Sequence, residues 1–396
     1  MKQRFLNSKS AYISIILFGI VSLMGDVVYE GARGIVPSYL EFLGASAVIV
    51  GLVGGLGDFL GYALRLVSGF LADTTRAYWF FIFLGYGLIV SIPLLGFSTS
   101  LEIAIILVLL ERLGKAFRSP ARDTVLSVIS KGVGAGKAFG IHELLDQTGA
   151  IAGPLIVTTL MFSSGNNYRY AFTFLLIPFL GLLIALVCTY KKIRAKAIIE
   201  ARKAEEKKEN LSKPFYTYIF AVLLNTSGLI PYTLILYKAS MILPTQEEWI
   251  VPLIYLLIQG VDASVALLAG YAYDKFGIKV LLAPFLLSLF PPMLTVGGTE
   301  LLTLIIASMF FGLVLGMQES IYRAAVSDLT PISIRGTAYG IFNTAYGVGF
   351  LISGGIYGLL MDFNAPFTVT LLLVVVVQTA ALIALLHASS ASRKQA

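Results

Sequence analysis

The chain of 396 residues is 57% hydrophobic and 13% charged, with a formal net charge of +7 and a mean hydropathy of +0.86. So few charges exclude a soluble globule, and apolar runs of about twenty residues, each able to cross a hydrocarbon core of about 30 Å as a helix, exclude the short alternating segments of a β-barrel. One cysteine, Cys188, rules out an internal disulfide, and two histidines are too few for a histidine-rich metal site, so no metal and no cofactor is expected.

Twelve apolar segments begin near residues 11, 47, 78, 100, 137, 168, 214, 249, 278, 300, 335 and 366, which predicts an all-α membrane protein of twelve transmembrane helices. The first, in "MKQRFLNSKSAYISIILFGIVSL", has the basic start of a signal peptide but no small-residue cleavage site, and is read as a retained span. Bases then set the orientation. Lys2, Arg4, Lys9, Arg76, Arg118, Arg122, Lys131, Lys137, Lys275, Lys279, Arg323, Arg335, Arg393, Lys394 and the nine between Lys191 and Lys213 fall on one side; Arg169 and Lys238 stand almost alone on the other. By the positive-inside rule both termini face the cytoplasm of a cell-membrane protein. The net charge is accounted for by that bias and calls for no nucleic acid.

Span one holds "MGDVVYEGAR", in which Asp26, Glu30 and Arg33 are spaced i, i+4 and i+7 and share one stripe of an otherwise apolar helix. Buried ionisable groups are costly, so such a stripe is expected to line a cavity. From helix rise, Asp26 is about 22 Å from the inner end of its span, and Asp146 about 14 Å from the inner start of span five. Asp58 and Arg112 lie about 17 Å from the outer starts of spans two and four. On span five His142, Asp146, Gly149 and Gly153 continue one line, with Glu143 one residue off it. Asp26, Glu30, Asp146, Glu143 and His142 are the candidate proton-coupling groups, and Arg33, Glu111, Arg112 and Asp58 their charge partners or substrate contacts. A structural ion-pair network is the competing reading. Asp73, Arg76, Asp274, Arg118, Arg122 and Arg323, together with Asp123, are read as gate or loop charges.

The segment "KKIRAKAIIEARKAEEKKENLSK" carries a local net charge of +5 and is read as a cytoplasmic linker, 191–213, beside anionic headgroups. It separates two copies of one pattern, 1–190 and 214–396. "GFLAD" at 69–73 matches "GYAYD" at 270–274, and "GKAFGIHELLDQTG" at 136–149 matches "GTAYGIFNTAYGVG" at 336–349, at shifts of 201 and 200. Two six-helix halves in parallel repeat follow. Their chemistry differs, because Phe342, Asn343 and Tyr346 replace His142, Glu143 and Asp146. With Asn225, Tyr232, Gln259 and Asp262, these make the candidate substrate cavity of the second half.

The "GFLADTTRAYW" and "GYAYDKFGIK" stretches and the mid-span Arg112 resemble the major facilitator superfamily over essentially the whole chain. "GAIAGP" at 149–154 is similar to the G-x-x-x-G-P signature that the family associates with antiporters. The resemblance implies that two pseudo-symmetric halves move a small molecule by alternating access, with protons and membrane lipids as further partners and a monomer as the working unit. The expected function is a proton-coupled secondary active transporter exporting a small organic compound. Counting eight mid-span acids against four bases makes that compound cationic or neutral and amphipathic. A proton-linked symporter or uniporter of a metabolite, or a non-transporting receptor, shares the same features. No Walker loop, HExxH or GxSxG motif is present, so no enzyme is expected.

Overall fold

Backbone N–H and C=O groups cannot stay unpaired in hydrocarbon, so apolar segments of this length satisfy them internally as helices. A computed structural model describes residues 8–130, 133–193, 210–331 and 334–393, and all regular structure among these is helical. In chain order the α-helices are α1 (Ser8–Arg33), α2 (Val36–Phe42), α3 (Ala47–Thr75), α4 (Tyr78–Gly87), α5 (Ser91–Leu94), α6 (Leu101–Ile129), α7 (Ala135–Ser164), α8 (Tyr168–Phe174) and α9 (Leu176–Ile193). The second part of the chain adds α10 (Lys213–Ser227), α11 (Tyr232–Ile242), α12 (Ile250–Phe276), α13 (Leu282–Leu287), α14 (Phe290–Gly297), α15 (Leu301–Met317), α16 (Arg323–Leu329), α17 (Arg335–Asp362) and α18 (Phe367–Arg393).

Helix ends follow local chemistry. Ser100, Asn167 and Ser212 accept hydrogen bonds from backbone N–H groups three residues on and so cap α6, α8 and α10. Gly165, in the left-handed αL conformation with φ 66° and ψ 45°, stops α7, and Gly277, with φ 64° and ψ −152°, ends α12 in a backbone conformation open to glycine. Among the described residues ten segments are long and apolar enough to cross a membrane. One of them, residues 250–297, is divided at Gly277, and α6 falls outside the set because Glu111, Arg112, Lys115 and Arg118 interrupt its apolar run. Both observations are consistent with the expected twelve spans.

Contacts divide the chain into one unit of residues 1–36 and 64–203 and a second of residues 37–63 and 204–396. This division differs from that of the sequence repeat, since it assigns α2 and the first part of α3 to the second unit. The middle of the expected linker, 194–209, lies outside the described residues.

In the first unit α1 packs chiefly on α7, and α4 on α6. The α1–α7 seam is built on glycines. A Cβ at Gly149 would lie 2.4 Å from the Leu23 carbonyl oxygen, and one at Gly153 would lie 2.7 Å from that of Val27. Gly85 and Gly114 do the same for α4 and α6. In the second unit α12 packs on α15, and α10 on α17 and α18. Gly51 and Gly354 bring α3 and α17 into backbone contact. Between α15 and α16 one π-helical turn, Gln318–Tyr322, turns polar side chains into the core.

Candidate functional site

The stripe read in span one is a ladder of polar groups along α1. Ser22, Asp26 and Glu30 are buried at four-residue steps, and Arg33 follows. At its lower rung Ser22 Oγ lies 3.1 Å from the Tyr86 hydroxyl and 3.0 Å from His142 Nε2, and accepts from Arg122 at 3.1 Å. Arg122 also holds Asp123 at 2.9 Å and stands 3.9 Å from Asp146. His142 and Arg122 are therefore joined through one serine. Glu143 points away: it is exposed and accepts from Gln147 of its own helix at 3.2 Å.

One turn up, Asp26 lies over Gly149, whose missing Cβ would stand 2.8 Å from that of Asp26. Asp146, Glu30 and Lys115 are its charged neighbours. Asp146 Oδ1 is buried and hydrogen-bonds no group among the described residues. Carboxyl groups from α1 and α7, Asp26 buried and Asp146 partly exposed, thus act on one another, an arrangement in which protonation and pairing with a base are competing ways to avoid a buried charge.

The upper rung gathers bases. Glu30 bonds Arg33, and the same oxygen lies 3.8 Å from Lys115. Glu111 sits between Arg112 at 3.7 Å and Arg118 at 3.5 Å. Arg33, Lys115 and Arg118 all lie 4.9 Å from the centre of the Tyr29 ring. Arg65 from α3 acts on Lys115 as well. Arg118, expected in a loop or gate, is instead a buried helical residue, because α6 continues through Pro120 to Ile129. Arg118 thus joins Arg33, Arg65, Arg112 and Lys115 among the bases near Asp26, Glu30 and Glu111.

In the second unit Asn225, expected in the cavity, is fully buried and fully bonded. Its amide donates to Ser288 at 3.1 Å and Gln378 at 2.8 Å, and its oxygen accepts from Tyr322 at 2.7 Å and Gln318 at 3.3 Å. No bonding position remains for a ligand, so Asn225 is a packing centre. Tyr346 donates to Gln318 at 2.9 Å, stacks on Phe342 and meets Tyr62 edge-on at 5.1 Å. Tyr232 lies against Tyr255 and Phe311. Asp262 is buried, whereas Asp58, Gln259 and Asn343 are half-buried. Among the expected gate charges, Asp73 accepts from Tyr78 at 2.9 Å, and Arg76 takes a φ of 57° in the turn after α3. Asp274 and Arg323 are exposed. Among the described residues no three His, Cys, Asp or Glu side chains gather as a metal-holding group.

Membrane-length helices with ionisable side chains buried at mid-helix define a multi-pass membrane transporter. The chain belongs to the Major Facilitator Superfamily, whose profile matches residues 10–296 and 215–396. It is 34% identical over 368 residues to an uncharacterized protein of Mycobacterium tuberculosis, covering 90% of this chain and 88% of that one. An uncharacterized MFS-type transporter of Methanocaldococcus jannaschii is 28% identical over 372 residues, 91% and 92% of the two chains. Among solved structures, a mutant of nucleoside transporter NupG superposes with a TM-score of 0.73 at 14% identity, over 95% of this chain and 99% of that one. A mutant of peptide transporter POT in complex with alafosfalin gives 0.72 at 14% identity, over 98% and 99%. The chain is accordingly a secondary transporter that works by alternating access, and not an enzyme.

Proposed function

We propose that this transporter couples a proton gradient to the movement of a small organic, amphipathic compound across the cell membrane, as a monomer with both termini cytoplasmic. The observation that carries the proposal is the pairing of Asp26 on α1 with Asp146 on α7 across the glycine seam. A buried acid beside a partly exposed one releases and takes up protons as their hydration and basic neighbours change. Arg122 stands within reach of Asp146, and Lys115 acts on Asp26, so each acid has a base that can replace its proton. Export by antiport draws its support from "GAIAGP", which forms that seam. Co-transport of proton and cargo draws its support from Glu30, the acid that occupies Arg33 and Lys115.

The test is pH-gradient-driven flux in proteoliposomes. Asp26→Asn and Asp146→Asn should insert and fold yet lose coupling to the gradient. Full coupling in both variants would refute the proposal, and the direction of proton movement with cargo separates antiport from co-transport.

A further inference from the structure

We infer that Ser22 is a positioning residue for proton coupling: pinned by Tyr86 and His142, it holds the Arg122 guanidinium back from Asp146 and so leaves that carboxyl open to a proton. This role rests on the reading of Asp146 as a proton carrier given above, and adds the group that decides when Arg122 takes the proton's place.

Arg122 stands between two acids. Its Nε donates to Asp123 of its own helix at 2.9 Å, whereas its Nη1 is 3.9 Å from Asp146 Oδ2, beyond hydrogen-bond range. Asp146 is the more buried of the two, its side chain 19% exposed against 48% for Asp123, so water screens a charge pair with Asp146 less. Coulomb attraction alone would close that gap. What holds Nη1 is the Ser22 hydroxyl, which accepts from it at 3.1 Å. A guanidinium is a rigid planar fork, so fixing Nε on Asp123 and Nη1 on Ser22 fixes the direction of the whole group.

A serine hydroxyl that could turn would follow the arginine. Ser22 is buried, and its Oγ has the Tyr86 hydroxyl of α4 at 3.1 Å and His142 Nε2 of α7 at 3.0 Å as further neighbours. One hydroxyl offers a single donor and two acceptor positions. Arg122 takes one acceptor position, and Tyr86 and His142 take the donor and the other acceptor position, in either order. Every position is filled, so turning Ser22 to another rotamer breaks bonds to two other helices. Tyr86 is anchored in turn, its ring centre 5.4 Å from the Arg118 guanidinium carbon. A shift of α6 along α1 that breaks the one bond from Arg122 to Ser22 hands the guanidinium to Asp146, and its arrival expels the proton. The titratable and charged groups facing Asp146 are Asp26 and Tyr29 from α1, Tyr86 from α4, Arg122 from α6 and His142 from α7. Ser22→Ala alters none of these charges, so its effect on Asp146 runs through the place of Arg122.

The experiment uses the purified full chain in phosphatidylcholine nanodiscs and needs no cargo. Infrared difference spectra across pH follow the carbonyl band of protonated carboxyl groups, and the component lost in Asp146→Asn belongs to Asp146. In Ser22→Ala that component should appear about one pH unit lower than in the wild type, a tenfold loss of proton affinity. Ser22→Thr, which keeps the hydroxyl, should restore the wild-type midpoint. Tyr86→Phe, which removes one anchor of Ser22, should shift the midpoint the same way by less, and it carries the test if Ser22→Ala does not fold. Arg122→Gln should move the midpoint to higher pH, and adding Ser22→Ala to it should change nothing further. No titrating component from Asp146, a midpoint unmoved in both Ser22→Ala and Tyr86→Phe, or a shift that persists without Arg122 would overturn the inference. A midpoint that moves as expected while Asp146→Asn keeps full gradient coupling would leave the role of Ser22 standing and remove the proton reading. Coupling lost in Asp146→Asn with the midpoint unmoved would do the reverse.

Discussion

Ser68 on α3 donates its hydroxyl to the carbonyl of Ala116 on α6 at 2.6 Å. Pro120 lies four residues after Ala116 and has no N–H, so that carbonyl has lost its helical donor. A serine from the neighbouring helix replaces it, and the helix passes its proline intact, carrying Arg118 and Arg122 on ordered turns. Ser68→Ala should lower stability by about 1–3 kcal/mol, the cost of a buried acceptor left unsatisfied. Thermal unfolding of the detergent-purified variant reads this, and an unchanged midpoint would mean that Ala116 finds another donor.

The α1–α7 seam makes an internal control possible. A methyl at Gly149 or Gly153 would enter the backbone of α1, whereas one at Gly140 on the same helix would meet nothing within 4 Å. Gly149→Ala and Gly153→Ala should each cost about 1–3 kcal/mol through overpacking. Gly140→Ala should be neutral or gain up to about 1 kcal/mol from helix propensity. If all three variants unfold at one temperature, close approach of the two backbones is not what holds α7 in place.

The fold was largely legible in the sequence because hydrocarbon thickness fixes helix length, and the polar ladder on α1 was legible because its spacing is that of one helix face. Relations between helices were not. Nothing local in "KAFRSPARD" announces that Ser68 will mend the helix at Pro120. Arg118, expected as a gate or loop charge, is therefore not placed by the sequence against the Tyr29 ring. Lys115, Tyr29 and Ser22 carry no local signal of the partners they meet on neighbouring helices. A clue was present for Tyr29: it stands beside Glu30 on the charged turn. Gln318 and Gln378 were missed because a lone amide in an apolar run signals burial only when its partner is known.

That amide cluster yields a prediction that separates packing from binding. Asn225 joins Ser288, Gln318, Tyr322 and Gln378, all buried, and the Tyr322 hydroxyl supplies one of its four bonds. Tyr322→Phe should cost about 1–3 kcal/mol by leaving Asn225 Oδ1 short of a donor, and Asn225→Leu should cost more because several partners are orphaned together. Cargo affinity of the fraction that remains folded should be unchanged in Tyr322→Phe. A loss of affinity at unchanged stability would return Asn225 to the binding site.

The start of α3 is capped from another helix. Asp362, at the end of α17, accepts from the backbone N–H groups of Ala47 at 2.8 Å and Val48 at 3.0 Å, one with each carboxylate oxygen. Both donors belong to the first turn, which has no partners within its own helix. A negative charge there is also favoured by the helix dipole. Asp362→Asn keeps one accepting oxygen and loses the charge; Asp362→Ala loses both bonds, at about 0.5–2 kcal/mol. Amide hydrogen exchange at Ala47 and Val48 should therefore quicken in the order wild type, Asp362→Asn, Asp362→Ala. The glycine contact between Gly51 and Gly354, further along the same pair of helices, should stay protected in Asp362→Asn, since it depends on shape and not on charge. Alternating access requires some packed contacts to part in each cycle, and a cap made between two different helices is weaker than the seam beside it. Turnover measured with the three proteins should then change in step with exchange. Exchange in Asp362→Ala equal to wild type would show that water, and not Asp362, satisfies the first turn of α3, and the link to turnover would fall with it.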